Sequence, residues 1–151
     1  MSAEDHLRLH FTDLRLPLAA VEWLLGVWNA TQVLDDAADG DAIDREDLHR
    51  AIYDLFVDLP SNPFFVHNAG ILLPALSLMV LKWKASDDAE RVQQADARSF
   101  IWRAGYYDVV LAAVVAAHGR VEALAVARGV LSLYGETLDD YLKEFPPCQI
   151  P

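Results

Sequence analysis

Two long apolar segments, residues 63–81 and 104–117, constrain the fold of this chain more than any other feature. Neither reads as a strand, because the chain shows no alternation of Val, Thr and Ile with a period of two. The first segment contains His67 and Asn68, and the second is too short to span a bilayer, so we expect a soluble rather than a membrane protein. The sequence therefore predicts an all-α fold in which both segments are core helices, hydrophobic nearly all round.

Cap and proline signals predict a bundle of about five helices. Asn62 before Pro63 suits an N-cap followed by a first-turn proline. Pro74 removes the hydrogen bond to the carbonyl of Gly70, so we predict that the third helix is kinked at Pro74. The fourth helix would be about 48 Å long at 1.5 Å per residue, unless it breaks near Gly105. The predicted helices cover residues 17–34, 44–58, 63–84, 86–118 and 120–145.

Length and cysteine usage predict one domain in a reducing compartment. A chain of 151 residues is large enough to bury about 68–70% of its unfolded surface, so a single core suffices for residues 1–151. We expect the N-terminus, residues 1–12, and the tail, residues 146–151, to be less ordered. The single cysteine, Cys148, excludes an internal disulfide and a Cys-rich zinc site. We therefore expect a cytoplasmic protein.

The chain is strongly acidic. Its 12 Lys and Arg residues against 23 Asp and Glu residues leave a formal net charge of -11. Such a charge repels a phosphate backbone, so we expect no nucleic-acid partner.

Seven of the acids lie together in residues 35–47. Crowded carboxylates repel each other unless water, caps or a cation relieves them. Asp44 fits the N-cap of the second helix, with Asp47 three residues on as a capping-box-like partner. Acids at the end of the first helix are disfavoured by its dipole, which is the reason to expect a cation or an arginine partner there. Arg103 is the arginine that we nominate.

One interpretation of this acidic run is a magnesium site. The pattern Asp35-Asp36-x-x-Asp39 resembles the DDxxD motif of isoprenoid synthases, in which helix-borne carboxylates hold magnesium ions that in turn hold a diphosphate. Positions i and i+4 share a helix face, and hard divalent cations prefer oxygen ligands. The resemblance implies magnesium ligands at these three aspartates.

Two further interpretations of the run remain open. Asp35, Asp39, Gly40 and Glu46 occupy positions 1, 5, 6 and 12 of an EF-hand-like calcium loop, although Ala37 stands at position 3. Alternatively, the acids form a solvated turn between two helices. The candidate cofactor is thus magnesium or calcium, and the candidate metal ligands are Asp35, Asp36, Asp39 and Asp41.

A second group of polar residues interrupts the apolar helices. Arg103 and Tyr107, four apart, form a polar edge that would hold an anion or a substrate oxygen, or else a salt bridge or a tyrosine hydrogen bond that fixes the register of the bundle. Asp108 shares a face with apolar residues, so we expect it to be partly buried and to need a partner. The candidate ligand-binding residues are Asn29, Gln32, His67, Asn68, Arg103, Tyr107 and Asp108.

The chain lacks several common catalytic and binding motifs, which narrows the classes of function that it can have. The chain has no HExxH, GxSxG, CxxC or Gly-rich phosphate loop. The combination of Trp28-Asn29, the DDxxDGD run, Asn62-Pro63-Phe64-Phe65 and Trp102-Arg103 resembles small uncharacterised helical proteins of tailed-phage and prophage genomes, a resemblance that implies no activity.

Two classes of function follow. The first is a non-enzymatic helical protein that self-associates or binds a protein partner, because four tryptophans and two apolar helices exceed what a small bundle easily hides. A symmetric dimer would cover them. The alternative is a small enzyme or ligand-binding protein that depends on magnesium or calcium and acts on a phosphate-bearing small molecule through the Asp35-Asp36-x-x-Asp39 cluster.

Overall fold

The computed structural model describes residues 1–148, and these residues form seven helices and no strand. The all-α class is confirmed, and the predicted count of five helices is wrong. Helix α3 contains a π-helical turn, Asp54–Asp58, between Arg45–Tyr53 and Leu59–Ser61. A turn at residues 103–105 interrupts α5 between Ala97–Trp102 and Tyr106–His118. The helices are α1 Ala3–Asp13, α2 Leu18–Asp39, α3 residues 45–61, α4 Pro63–Arg91, α5 Ala97–His118, α6 Arg120–Leu131 and α7 Leu138–Glu144.

Helix α1 occupies most of the N-terminal segment, residues 1–12, that the sequence predicts to be less ordered. The backbone N–H of Asp5 donates to Ser2 Oγ at 3.1 Å, and the N–H of Ser2 donates to the Asp5 carboxylate at 2.9 Å. This reciprocal capping box satisfies two donors that a helix start otherwise leaves open. Leu7 and Phe11, one turn apart, are buried and anchor the helix.

The predicted helix over residues 86–118 is wrong at its start. Helix α4 continues to Arg91, and α5 begins only at Ala97. The Asp96 carboxylate accepts hydrogen bonds from the N–H groups of Arg98 and Ser99, at 2.8 and 3.2 Å, and this cap fixes the new start. The alternative that allowed a break near Gly105 is confirmed.

The predicted helix over residues 120–145 divides into α6 and α7. Thr137 provides the second start, because its Oγ1 accepts a hydrogen bond from the N–H of Asp140 at 3.2 Å. The sequence prediction missed this cap.

The break in α4 lies at Asn68 and not at the predicted Pro74. Asn68 has non-helical dihedral angles, φ -114° and ψ 18°, and its side-chain amide donates to the carbonyl oxygen of Phe64 at 2.8 Å. A side chain that bonds the carbonyl four residues back competes with the helix backbone. Pro74 is accommodated within the helix one turn after Gly70, which has no side chain to crowd its ring. The predicted Asn62 cap is confirmed, since Asn62 Oδ1 accepts from the N–H of Phe64 at 2.9 Å.

The chain divides into two compact units, Met1–Ala69 and Gly70–Pro151, where the sequence predicts one domain. In the first unit, α1 packs on α2, and α2 packs on α3. In the second, Tyr106–His118 of α5 packs along α6, and Ala97–Trp102 contacts α7. The tail predicted over residues 146–151 falls partly outside the described residues, which end at Cys148.

Two helices, α4 and α5, are long and apolar enough to cross a membrane. The most apolar 18-residue window of α4 is only 11% buried, and that of α5 is 33% buried. The expectation that α4 is a core helix is therefore wrong. Only one side of it, which includes Leu72 and Met79, is covered by the protein.

Candidate functional site

The acids predicted to bind metal lie mostly at the end of a helix. Asp35, Asp36 and Asp39 belong to the last turns of α2, which Gly40 ends in the left-handed conformation at φ 76°. The N–H of Asp41 donates to the carbonyl oxygen of Asp36 at 2.9 Å and closes the cap. Only residues 40–44 separate α2 from α3, so a twelve-residue EF-hand loop does not form.

The remaining acids of the run begin α3. Asp44 Oδ1 accepts hydrogen bonds from the N–H groups of Glu46 and Asp47, at 2.8 and 3.3 Å, which confirms the predicted N-cap. The Asp47 carboxylate pairs with Arg50 at 3.1 Å. Within residues 1–148, no three His, Cys, Asp or Glu side chains are grouped so that they could hold a metal ion. The structure therefore gives the run helix-capping contacts and no preformed metal site among those residues.

The four candidate ligand-binding residues of the first unit do not meet at one site. The Asn29 side-chain amide donates to the Glu4 carboxylate at 3.2 Å. Gln32 and His67 are exposed, and Asn68 uses its amide for the break in α4.

Arg103 lies in a polar cluster of the second unit. Its guanidinium is 3.6 Å from Glu90 and 3.9 Å from Glu136. The same group stands over the rings of Tyr141 and Phe145, 5.1 and 5.4 Å from their centroids. An arginine held by two carboxylates and two rings fixes the packing of the helices around it.

The other two members of the predicted pocket also contact neighbours in this unit. Tyr107 is partly buried, with its ring centroid 5.4 Å from that of Tyr106 and 6.0 Å from that of Tyr134, and burial raises the pKa of its phenol. Asp108 is partly buried and pairs with Lys82 at 2.5 Å, as its position predicted. These contacts agree with the bundle-register interpretation of Arg103, Tyr107 and Asp108.

The sequence prediction missed the buried polar network beneath Arg103. The Glu90 side chain is only 10% exposed, and its Oε1 accepts hydrogen bonds from Ser86 Oγ and from the Tyr141 hydroxyl, each at 2.9 Å. Burial raises the pKa of Glu90, while those two hydrogen bonds and the charge of Arg103 act in the opposite direction. The available signal was the spacing of Ser86 and Glu90, four apart on one helix.

The outer side of α4 is a candidate interaction surface, although the sequence predicts this helix to lie in the core. Six of its exposed positions follow the spacing i, i+3, i+4, i+7, i+8 and i+11, which places these six on one stripe of the helix. We call this stripe the α4 face. It consists of Gly70, Leu73, Pro74, Ser77, Leu78 and Leu81.

No protein-family model matches this chain, and neither a curated protein nor a solved structure matches it.

Proposed function

We propose that the protein is a non-enzymatic helical module that self-associates through the α4 face. The observation that carries this proposal is the 11% burial of the apolar window of α4. Leu73, Leu78 and Leu81 are the large apolar side chains of this face. Covering them with a partner is favourable by about 25 cal/mol for each Å² of apolar surface removed from water. Apolar patches of this kind are typical of protein or membrane interaction sites.

The charges favour a second copy of the chain over a lipid surface. Residues 63–81 contain no Asp, Glu, Lys or Arg, so two copies meet there without repulsion, although each carries a net charge of -11. The same net charge disfavours approach to an anionic membrane surface. Leu72 and Met79, on the other side of α4, are buried by the protein itself, so one side is left for one partner.

The α4 face is also self-complementary. Its positions are symmetric about the midpoint between residues 75 and 76, so an antiparallel pair of α4 helices places Leu73 against Leu78 of the other copy. Pro74 then meets Ser77, and Gly70, without a side chain, receives Leu81. This is the arrangement that a two-fold symmetric interface requires, because each contact occurs twice.

Sedimentation velocity across a range of protein concentrations tests this proposal. For a chain of 16.8 kDa we expect a species of twice that mass in the native protein. The double substitution Leu73→Glu and Leu78→Glu places four carboxylates at the interface, so we expect a monomer with an unchanged helical spectrum.

The matched control is Val121→Glu with Leu124→Glu, which adds the same charge at positions that are 76% and 78% exposed on α6. We expect this variant to remain dimeric. A native protein that is monomeric at every concentration contradicts the proposal. Co-sedimentation of the native monomer with phosphatidylcholine vesicles, lost in the α4 variant, would assign the same face to lipid.

A further inference from the structure

Helix α3 of the first unit packs on α2 with one side only. Ala51 is 4% exposed, and Leu59 lies so close to α2 that a Cβ at Gly26 would be 2.8 Å from its Cδ2. These two residues mark the side of α3 that faces α2. Elsewhere on the same helix, large apolar side chains are between 39% and 79% exposed. They are Leu48, Ile52, Tyr53, Leu55, Phe56 and Val57.

Five of these side chains form two neighbouring rows along the helix. Leu48, Ile52 and Phe56 follow the spacing i, i+4 and i+8, and Tyr53 and Val57 follow each of the last two by one position. We call these five residues the α3 face. Aromatic side chains are enriched where proteins bind one another, and Phe56 and Tyr53 are 79% and 58% exposed. The α3 face is therefore a candidate surface for a protein partner.

The first unit also carries most of the negative charge of the chain. Residues 1–69 contain 13 Asp and Glu against four Arg, a formal charge of -9 out of the total of -11. Seven of these acids lie in residues 35–47, which end α2, form the turn and begin α3, and six of the seven are exposed. Arg50 balances only one of them, by pairing with Asp47 at 3.1 Å. The α3 face thus begins at a strongly negative end.

This combination of apolar and negative surface selects the occupant. A second copy of the chain would bring its own acids to the same place, and like charges repel. Anionic lipid headgroups are disfavoured for the same reason. A helix with one apolar side and flanking Lys or Arg residues matches both properties, because its apolar side covers the two rows and its charges meet the acids.

We propose that the α3 face docks a basic amphipathic helix of a partner protein. The apolar side of that helix covers Ile52 and Phe56, and its Lys and Arg side chains lie toward the acids of residues 35–47. The α3 face and the α4 face share no residue, so this proposal is independent of self-association.

Two synthetic peptides of about 18 residues, or five helical turns, are matched probes. Both contain the same numbers of Leu and Lys. One places Leu at i, i+3, i+4 and i+7, so that it has an apolar side, and the other distributes the same residues around the helix. Fluorescence anisotropy with the full chain at physiological salt measures their affinities. We expect the amphipathic peptide to bind about tenfold more tightly or better, and its affinity to fall as salt is added.

The apolar half of the proposal is tested by Ile52→Ser with Phe56→Ser. These side chains are exposed, so the fold should persist, which circular dichroism checks, while binding of the amphipathic peptide should weaken by about tenfold or more. The matched control is Val121→Ser with Leu124→Ser, which removes exposed apolar side chains of α6. It should leave the affinity unchanged.

The charged half is tested by Asp41→Asn with Glu46→Gln, both exposed and next to α3 or in its first turn. This variant should bind more weakly and lose affinity less steeply with salt. Asp139→Asn with Glu144→Gln removes the same charge from exposed positions of α7 and should bind as the native protein does.

The proposal is overturned if the native protein binds the two peptides equally, or if Ile52→Ser with Phe56→Ser binds as the native protein does. Sedimentation distinguishes the other occupants. A lower mass for that variant than for the native protein would assign the α3 face to a second copy. Co-sedimentation with phosphatidylcholine vesicles that is lost in the variant would assign it to lipid, and either result also overturns the proposal.

Discussion

The hydroxyl of Tyr141 lies 2.9 Å from Oε1 of Glu90, a residue 51 positions away in the sequence. It also lies 2.7 Å from Oγ of Ser99, so one phenol joins α7 to both α4 and α5. Tyr141 is fully buried, as is Ser99. A buried network of this kind is specific only while every polar group in it has a partner. Glu90 therefore links α4 to α7 within this network.

Two substitutions at Glu90 should have different effects on the free energy of unfolding. Glu90→Gln keeps an oxygen acceptor for Tyr141 and Ser86 and removes the buried charge, so we expect stability at pH 7 to be equal or higher. Glu90→Ala removes the carboxylate that accepts from both hydroxyls and leaves Ser99 as their remaining acceptor, so we expect a cost of about 1–3 kcal/mol. Urea titration of the two variants measures both effects.

The difference in stability between Glu90→Gln and the native protein should depend on pH. The folded-state pKa of Glu90 is raised above its ordinary 4.5, so the stability this group contributes is present below pH 4.5 and is lost as pH rises through the folded pKa. Glutamine does not titrate. The advantage of Glu90→Gln over the native protein should therefore grow from pH 4 towards neutral pH, and a constant difference would contradict the assignment.

Alanine substitutions at two glycines of the second unit should change the stability of the protein in opposite directions. A Cβ at Gly105 would lie 3.2 Å from the backbone Cα of Met79, which cannot rotate away, so we expect Gly105→Ala to lower stability by about 1–3 kcal/mol. Gly129 in α6 has open space around it, and Gly129→Ala should raise stability by about 0.4–1 kcal/mol. Thermal melting compares the two, and a gain in both would show that α4 yields at Met79.

Local signals in the sequence predicted the helical class and several helix ends. Local residues predict the helix starts at Asp44 and Asn62 and the break near Gly105, because a cap or a glycine acts within a few residues of its own position. The caps at Asp96 and Thr137 have the same local chemistry but lie inside longer patterns that predict continuous helices. The cap at Ser2 lies in the N-terminal segment that the sequence predicts to be less ordered. The exposure of α4 could not be predicted, since an all-apolar helix gives no pattern to show which side the protein covers.

Removing the charge of an acid on either side of the turn between α2 and α3 should change stability in the direction that the helix dipole predicts. Asp36 lies in the last turn of α2, where a negative charge is unfavourable, so Asp36→Asn should stabilise the protein by about 0.3–1 kcal/mol at low salt. Asp47 lies in the first turn of α3 and pairs with Arg50, so Asp47→Asn should destabilise it by a similar amount. Added salt should shrink both differences. Equal signs for the two variants would argue against the dipole account.

A cavity of about 360 Å³ in the first unit, between α1, α2 and α3, could not be predicted from the sequence. Of the residues that line it, only Asn29 is a candidate ligand-binding residue of the sequence. Glu4 and Arg8 lie in the N-terminal segment that the sequence predicts to be less ordered. Asp54 and Asp58 appear in the sequence as an ordinary i, i+4 pair, and only the π turn and the packing of three helices place them on the same cavity wall as Trp23.

The antiparallel pairing proposed for α4 predicts a specific cross-link. With the two-fold axis between residues 75 and 76, the two copies of residue 77 are offset by only about 4.5 Å along the helices, within reach of disulfide geometry. In a Cys148→Ser background, which removes the exposed native thiol, Ser77→Cys should give a covalent dimer under mild oxidation. Ser132→Cys, equally exposed but outside the α4 face, should stay monomeric on a non-reducing gel. Cross-linking of both cysteines at the same rate would reflect random collision and would refute this pairing.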